Sequence, residues 1–145
     1  IRDSAREPLW RHLINYRCGT GHSVSFVGNV HEGPHALNGR NTVVFQPGMI
    51  VTDEPGVYEG GQVGIRIENE LMCVHKADNQ YGTFLGFEPI MFVPIATSPV
   101  VPGVLTRDEL DWLNAYHREV FTKLAPRLTE EERDWLAKKC AAIGA

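Results

Sequence analysis

Three short stretches of this chain set metal-competent side chains among glycines, prolines and alternating apolar residues. CGTGHSVSFVGNVHEGP (18–34) carries His22 and His31, VTDEPGVYEGG (51–61) carries Glu54, and VGIRIENE (63–70) carries Glu68. One imidazole and two carboxylates, from His22, Glu54 and Glu68, suit a divalent ion such as manganese, cobalt or zinc. Three donors on separate segments do not close a site, so further ligands must come from elsewhere.

The elements that position these donors follow from local pattern. Gly19 and Gly21 flank Thr20 and rule out a stable helix there; glycine at such points allows a backbone to approach something closely. Met49 to Glu54 reads as a strand with Ile50, Thr52 and Glu54 on one face and Met49, Val51 and Asp53 on the other. Pro55-Gly56 ends it, and Glu59-Gly60-Gly61-Gln62 turns the chain into a strand over 63–74. In that strand Ile65 and Ile67 point one way, and Arg66, Glu68 and Glu70 the other. Two readings stay open: a salt bridge on a solvated face, or Glu68 as a ligand with Arg66 steadying a neighbouring carboxylate.

The remainder supplies the frame. The spacing predicts a helix over 3–16, with Ser4 and Glu7 as a capping box and Trp10, Leu13 and Ile14 as its core-facing stripe. His35 follows the Gly33-Pro34 turn, 36–48 is a polar loop, and 75–83 a polar excursion. Residues 84–95 form an edge or irregular strand because of Pro89 and Pro94. A helix starts at Thr106 with Glu109 completing its box, carries Leu110, Leu113, Tyr116, Val120 and Leu124 inward, and ends before Pro126. A second starts at Thr129 with Glu132, buries Trp135 and Leu136, and ends near Gly144. His117 and Glu130–Glu132 are expected on the helix surface or in capping.

Composition narrows the classes. A chain of 145 residues with 43% hydrophobic and 22% charged content can bury a real core. Its formal charge of −4 leaves no basic footprint for nucleic acid. No apolar run approaches the roughly 20 residues that span a bilayer, and the first residues lack a signal peptide's apolar segment. Cys18, Cys73 and Cys140 make no CxxC pair, which fits a reducing compartment. Opening at Ile1, partway into a helix start, the chain reads as a piece of something longer.

GTGH, VHEGP, TDEPG and IRIEN, in that order, resemble the pita-bread metallopeptidases, and most closely the cytosolic type of aminopeptidase P (Xaa-Pro aminopeptidase). FEPIMFVPI and LTRDELDWLNAYH are similar to that family's closing strand and C-terminal extension. The resemblance implies that His22 and Glu54 bind one of two metals, Glu54 also shuttling protons, and that Glu68 bridges both. It implies that His31 contacts substrate and stabilises the tetrahedral intermediate, with His22, Tyr58 and Arg66 also on the substrate side. The implied cofactors are two divalent ions, manganese first and zinc or cobalt as alternatives. They would activate water and polarise the scissile carbonyl. The implied substrate is a peptide with proline at its second position.

Departures from the family pattern shape the expectations. Two aspartate ligands belong upstream of GTGH, and Asp3 is the sole aspartate before His22; the chain alone is therefore expected to be inactive and to hold no normal pair of ions. Cys18 stands where the family often has histidine, as a neutral replacement or a contact to the substrate pocket, and Ser23 and Ser25 stand where glycines are usual. The expected fold is α+β: the C-terminal half of the pita-bread domain over 1–95, a curved antiparallel sheet with covering helices, and a helical extension packed on it over 96–145. With that half alone, exposed strand edges point to self-association or a retained partner fragment, the expected assembly is a cytoplasmic homodimer, and neither nucleic acid nor a membrane is an expected partner. The competing expectations are a non-catalytic binding relative of the same fold, and a prolidase.

Overall fold

A computed structural model describes residues 2–144. Ile1 and Ala145, and the side chains of Arg2, Asp3 and Pro102, lie outside the described residues, and so do the expectations placed on Ile1 and on the Asp3 carboxylate. The chain divides into two units, Ile1–Met91 and Phe92–Ala145.

In the first unit, helix α1 (Arg2–Trp10) is followed by five strands: β1 (Ile50–Asp53), β2 (Gly56–Glu59), β3 (Val63–Arg66), β4 (Asn69–Asn79) and β5 (Gly82–Pro89). β1, β4 and β5 form one antiparallel sheet in that order, and β2 and β3 a separate hairpin. Gly61 and Gly82 take φ of 72° and 125°, the left-handed conformations that the two hairpin turns need and that L side chains resist. β5 is an edge strand ending at Pro89, which has no N–H to continue a ladder. The loop over 36–48 is fastened to the sheet by edge-on ring contacts, His35 to Phe45 and Phe45 to Phe87, each with centroids 5.3 Å apart.

Two expectations for this unit change. The strand expected over 63–74 breaks after Arg66 and resumes at Asn69, because β3 pairs with β2 while β4 pairs with β1 and β5; Glu68 falls in the break. The polar excursion over 75–83 is instead a hairpin, with Asp78 accepting from His75 at 2.8 Å and Thr83 at 2.7 Å.

The helix expected over 3–16 runs from Arg2, so Ser4 lies inside it rather than at a capping position, and it stops at Trp10. Ile14 N–H reaches back to the Leu9 carbonyl and Leu13 N–H to that of Trp10, at 3.0 Å each, with Leu13 at φ 59°. This is a Schellman ending with leucine where glycine is usual. The stripe is therefore lost: Leu13 is 97% exposed, and Trp10 and Ile14 41% each.

In the second unit, α2 (Arg107–Leu124) and α3 (Glu130–Lys139) each begin with a complete capping box, Thr106 with Glu109 and Thr129 with Glu132. Tyr116, Val120 and Leu136 form the core, with Phe92, Ile95, Phe121, Leu124, Leu128 and Cys140 packed against them. Three expectations fail here. α3 ends at Lys139 rather than near Gly144. Trp135 is exposed, since a ten-residue helix turns Leu136 inward and its neighbour out. His117 is fully buried: positions 113, 117, 120 and 124 continue one helical stripe, and its Nε2 accepts the Ile95 N–H at 3.1 Å.

Two outcomes follow from these backbones and burials. Leu13→Gly should raise stability by about 0.5–1 kcal/mol, because glycine relieves the left-handed strain and the exposed leucine loses no packing; denaturant unfolding measures it. Burial holds the His117 imidazole below its ordinary pKa of 6.5. The unfolded chain then binds the proton more readily, so stability is full above pH 6.5 and falls as pH drops through that value toward the depressed folded one. The slope reaches at most about 1.4 kcal/mol per pH unit. His117→Gln should flatten this acid limb in unfolding curves taken across it; an unchanged limb assigns it to other groups.

Candidate functional site

The site is built around a close backbone approach. Thr20 to Ser23 lie between β1 and residues 35–37. On the β1 side, Thr52 N–H donates to the His22 carbonyl (2.9 Å) and Glu54 N–H to that of Thr20 (2.7 Å); on the other, Ser23 N–H donates to His35 and Leu37 N–H to Gly21. Thr20, Ser23, Val51 and Thr52 are all buried. A Cβ on Gly21 would sit 1.8 Å from the Thr52 carbonyl oxygen, so only glycine fits this approach. His35, buried below, donates from Nε2 to the Ile50 carbonyl at 2.7 Å and serves the frame.

This clasp sets His22 beside Glu54. His22 Nδ1 bonds the Ser23 carbonyl at 3.0 Å, which fixes its proton on Nδ1 and directs Nε2 at Glu54 Oε1, also 3.0 Å away. Thr52, not singled out in the sequence although alternation puts it on the face of Glu54, completes the arrangement. Its hydroxyl accepts from His22 N–H (3.0 Å) and donates to Glu54 Oε1 (2.9 Å). The His31 ring lies against that of His22, centroids 4.2 Å apart and tilted by 57°.

Arg66 connects the two carboxylates: Nη1 is 3.4 Å from Glu54 Oε2, and Nε 3.4 Å from Glu68 Oε2. Its side chain is 49% exposed, so these pairs add little to stability; their effect is to hold two carboxylates in register. Asp53, on the opposite strand face from Glu54, has its carboxyl pKa pushed up by burial. Tyr58 stands opposite Gly64 in the β2–β3 register, and its ring covers the backbone of Gly56 and Gly64. Among the described residues it makes no hydrogen bond to His22, His31, Glu54 or Glu68. The Cys18 thiol donates to the Gly56 carbonyl at 3.5 Å, tying the glycine segment to the start of β2.

The donors suit a divalent cation in kind but not in number. Nε2 and a carboxylate oxygen at 3.0 Å need a cation between them, and one shared proton or one metal ion can fill that role. Glu68 joins only through Arg66, and among the described residues no group of three or more His, Cys, Asp or Glu side chains converges to hold a metal ion.

Residues 1–75 match the model for metallopeptidase family M24, and residues 83–143 the model for the C-terminal region of peptidase M24. An aminopeptidase P1 of Lotus japonicus is 42% identical over 97% of this chain, which spans 22% of that protein. An aminopeptidase P2 of Arabidopsis thaliana is 47% identical over 91% of this chain, spanning 19% of its own length. Among solved structures, the X-prolyl aminopeptidase of Caenorhabditis elegans, described as a cytosolic enzyme with a di-nuclear active site, superposes with a TM-score of 0.84. It is 37% identical, over 95% of this chain and 23% of that one. The chain thus spans about a fifth of the length of these relatives.

Gly21→Ala should cost about 1–3 kcal/mol, as overpacking does, and should also part His22 from Glu54. Unfolding curves read the first effect. Imidazole nitrogen shifts read the second: a His22 signal unchanged in the variant would mean that the clasp does not set the pair.

Proposed function

We infer, for a chain that belongs to metallopeptidase family M24, that the protein carrying it is a two-metal aminopeptidase releasing the residue that precedes an N-terminal proline. The observation that supports this most is the His22 Nε2–Glu54 Oε1 contact, with Arg66 extending it to Glu68. Those three donors would hold metal, and their oxygen-rich chemistry favours manganese over zinc or cobalt. Two such ions, when bound, lower the pKa of water and polarise a carbonyl.

The chain's own residues do the rest. Glu54, 15% exposed and kept in place by Thr52 and Arg66, is a proton acceptor and donor at Oε1 or Oε2. His31, exposed beside His22, is free to donate to oxygen charge that develops on the substrate. Arg66 positions both carboxylates, and Tyr58, 54% exposed on the hairpin, offers a ring and hydroxyl to the peptide. The substrate is a peptide with proline second, its free amine toward the metal donors.

Alone, the chain contributes three donors, too few for two ions, and no release is expected from it in isolation. The proposed division is a catalytic-domain half over 1–95 and a helical extension over 96–145; the compact units, which part after Met91, support two units with a boundary four residues earlier. The exposed apolar residues of β3 and its flank, Val63, Ile65 and Ile67 at about half exposure, favour a homodimer or a covering segment. A cytoplasmic location accords with three unpaired cysteines and with the description of the nematode relative. Among the described residues no helix is long and apolar enough to cross a membrane.

A second reading, a non-catalytic relative that binds peptides, is favoured by Cys18 at a position where the family often has histidine. The full-length protein, stripped of metal and reloaded with manganese, should release the first residue of Xaa-Pro-Yaa and spare Xaa-Ala-Yaa. Glu54→Gln should lower kcat by about 10²–10⁴-fold. No release from either peptide, with no metal retained, would support the binding relative instead.

A further inference from the structure

Away from His22, Glu54 and Glu68, the same glycine segment borders a cavity of about 560 Å3, lined by Arg6, Arg17 and Arg40 together with Cys18, Gly19 and Asn38. Arg6 is only 8% exposed. Its Nη1 donates to Asn15 Oδ1 at 2.9 Å and to the Tyr16 carbonyl, and its Nη2 to the Cys18 carbonyl at 3.1 Å. Its guanidinium carbon stands 3.8 Å from the centroid of the Tyr16 ring. All these partners are neutral, and the buried Nε has no hydrogen-bond partner.

No carboxylate lines this cavity. Among the described residues, no ion pair includes Arg6, Arg17 or Arg40. A Cβ on Gly19 would meet nothing within 4 Å, and Arg17 and Arg40 are exposed. A buried cation served by dipoles alone, with two further cations on the same cavity, is electrostatically incomplete. Guanidinium groups present forked N–H donors that match oxyanions two at a time.

We propose that this cavity is a binding site for a small oxyanion carrying two negative charges, gripped by Arg17 and Arg40 and attracted by the buried charge of Arg6. A phosphate group and a dicarboxylate share that chemistry. The site uses none of His22, Glu54 or Glu68, so it stands apart from the peptidase reading.

Calorimetric titration of the full-length metal-free protein with inorganic phosphate, and separately with succinate at matched ionic strength, tests it. Saturable binding of one or both is expected. Tighter binding of phosphate identifies a phosphoryl ligand, and tighter binding of succinate a dicarboxylate. The double substitution Arg17→Gln and Arg40→Gln, both exposed and so tolerated by the fold, should weaken that binding by about tenfold or more, with an unchanged circular dichroism spectrum. Absence of binding by either anion up to about 10 mM, or binding undiminished in the double variant, overturns the proposal.

Discussion

The 1.8 Å that would separate a Cβ on Gly21 from the Thr52 carbonyl oxygen is the constraint on which the candidate site depends. Because residue 21 has no side chain, two backbones come together closely enough for the Thr52–His22 and Glu54–Thr20 hydrogen bonds. Those bonds fix register, and register decides which side chains meet. One residue of slip would turn His22 away from Glu54. The Thr52 hydroxyl then locks the result from both sides, accepting from the His22 backbone and donating to the Glu54 carboxylate.

Around this clasp the charges divide into two groups of opposite character. On one side Glu54 and Glu68 share Arg66, a single cation between two carboxylates, half in water and weak as a stabilising pair. On the other, Arg6, Arg17 and Arg40 line a cavity without any carboxylate. The pita-bread fold shared with the nematode structure accounts for the first group, since the segments that carry Glu54, Arg66 and Glu68 adjoin a β hairpin and an antiparallel sheet. In the second group Arg6 lies on α1 and Arg17 and Arg40 on loops, and Arg6 fastens the segment that follows the helix through Asn15, Tyr16 and Cys18.

Legibility followed the range of the interactions. Both capping boxes of α2 and α3 were evident, because Thr and Glu three residues apart satisfy their own backbone N–H groups. The β2–β3 hairpin was equally plain from Gly60-Gly61. The end of α1 was not, since leucine at φ 59° gives no compositional sign of a helix stop. Nor was the burial of His117, whose place in the apolar stripe is stabilised by the Ile95 N–H, twenty-two residues away. Thr52 went unmarked because a threonine in a strand is ordinary; its function comes from the two partners that converge on it.

The sequence by itself determined the donor types, the order of the motifs that mark family M24, the hairpin joining Glu54 to Arg66 and Glu68, and the starts of α2 and α3. These rest on covalent neighbours, on side-chain periodicity and on glycine's freedom of φ. Tertiary structure alone decided that His22 and Glu54 touch, that Arg66 spans both glutamates, that the strand breaks at Glu68, and that three arginines share one cavity. Each of those depends on hydrogen-bond register between segments distant in the chain, and register is set by pairing and packing in space rather than by any local pattern.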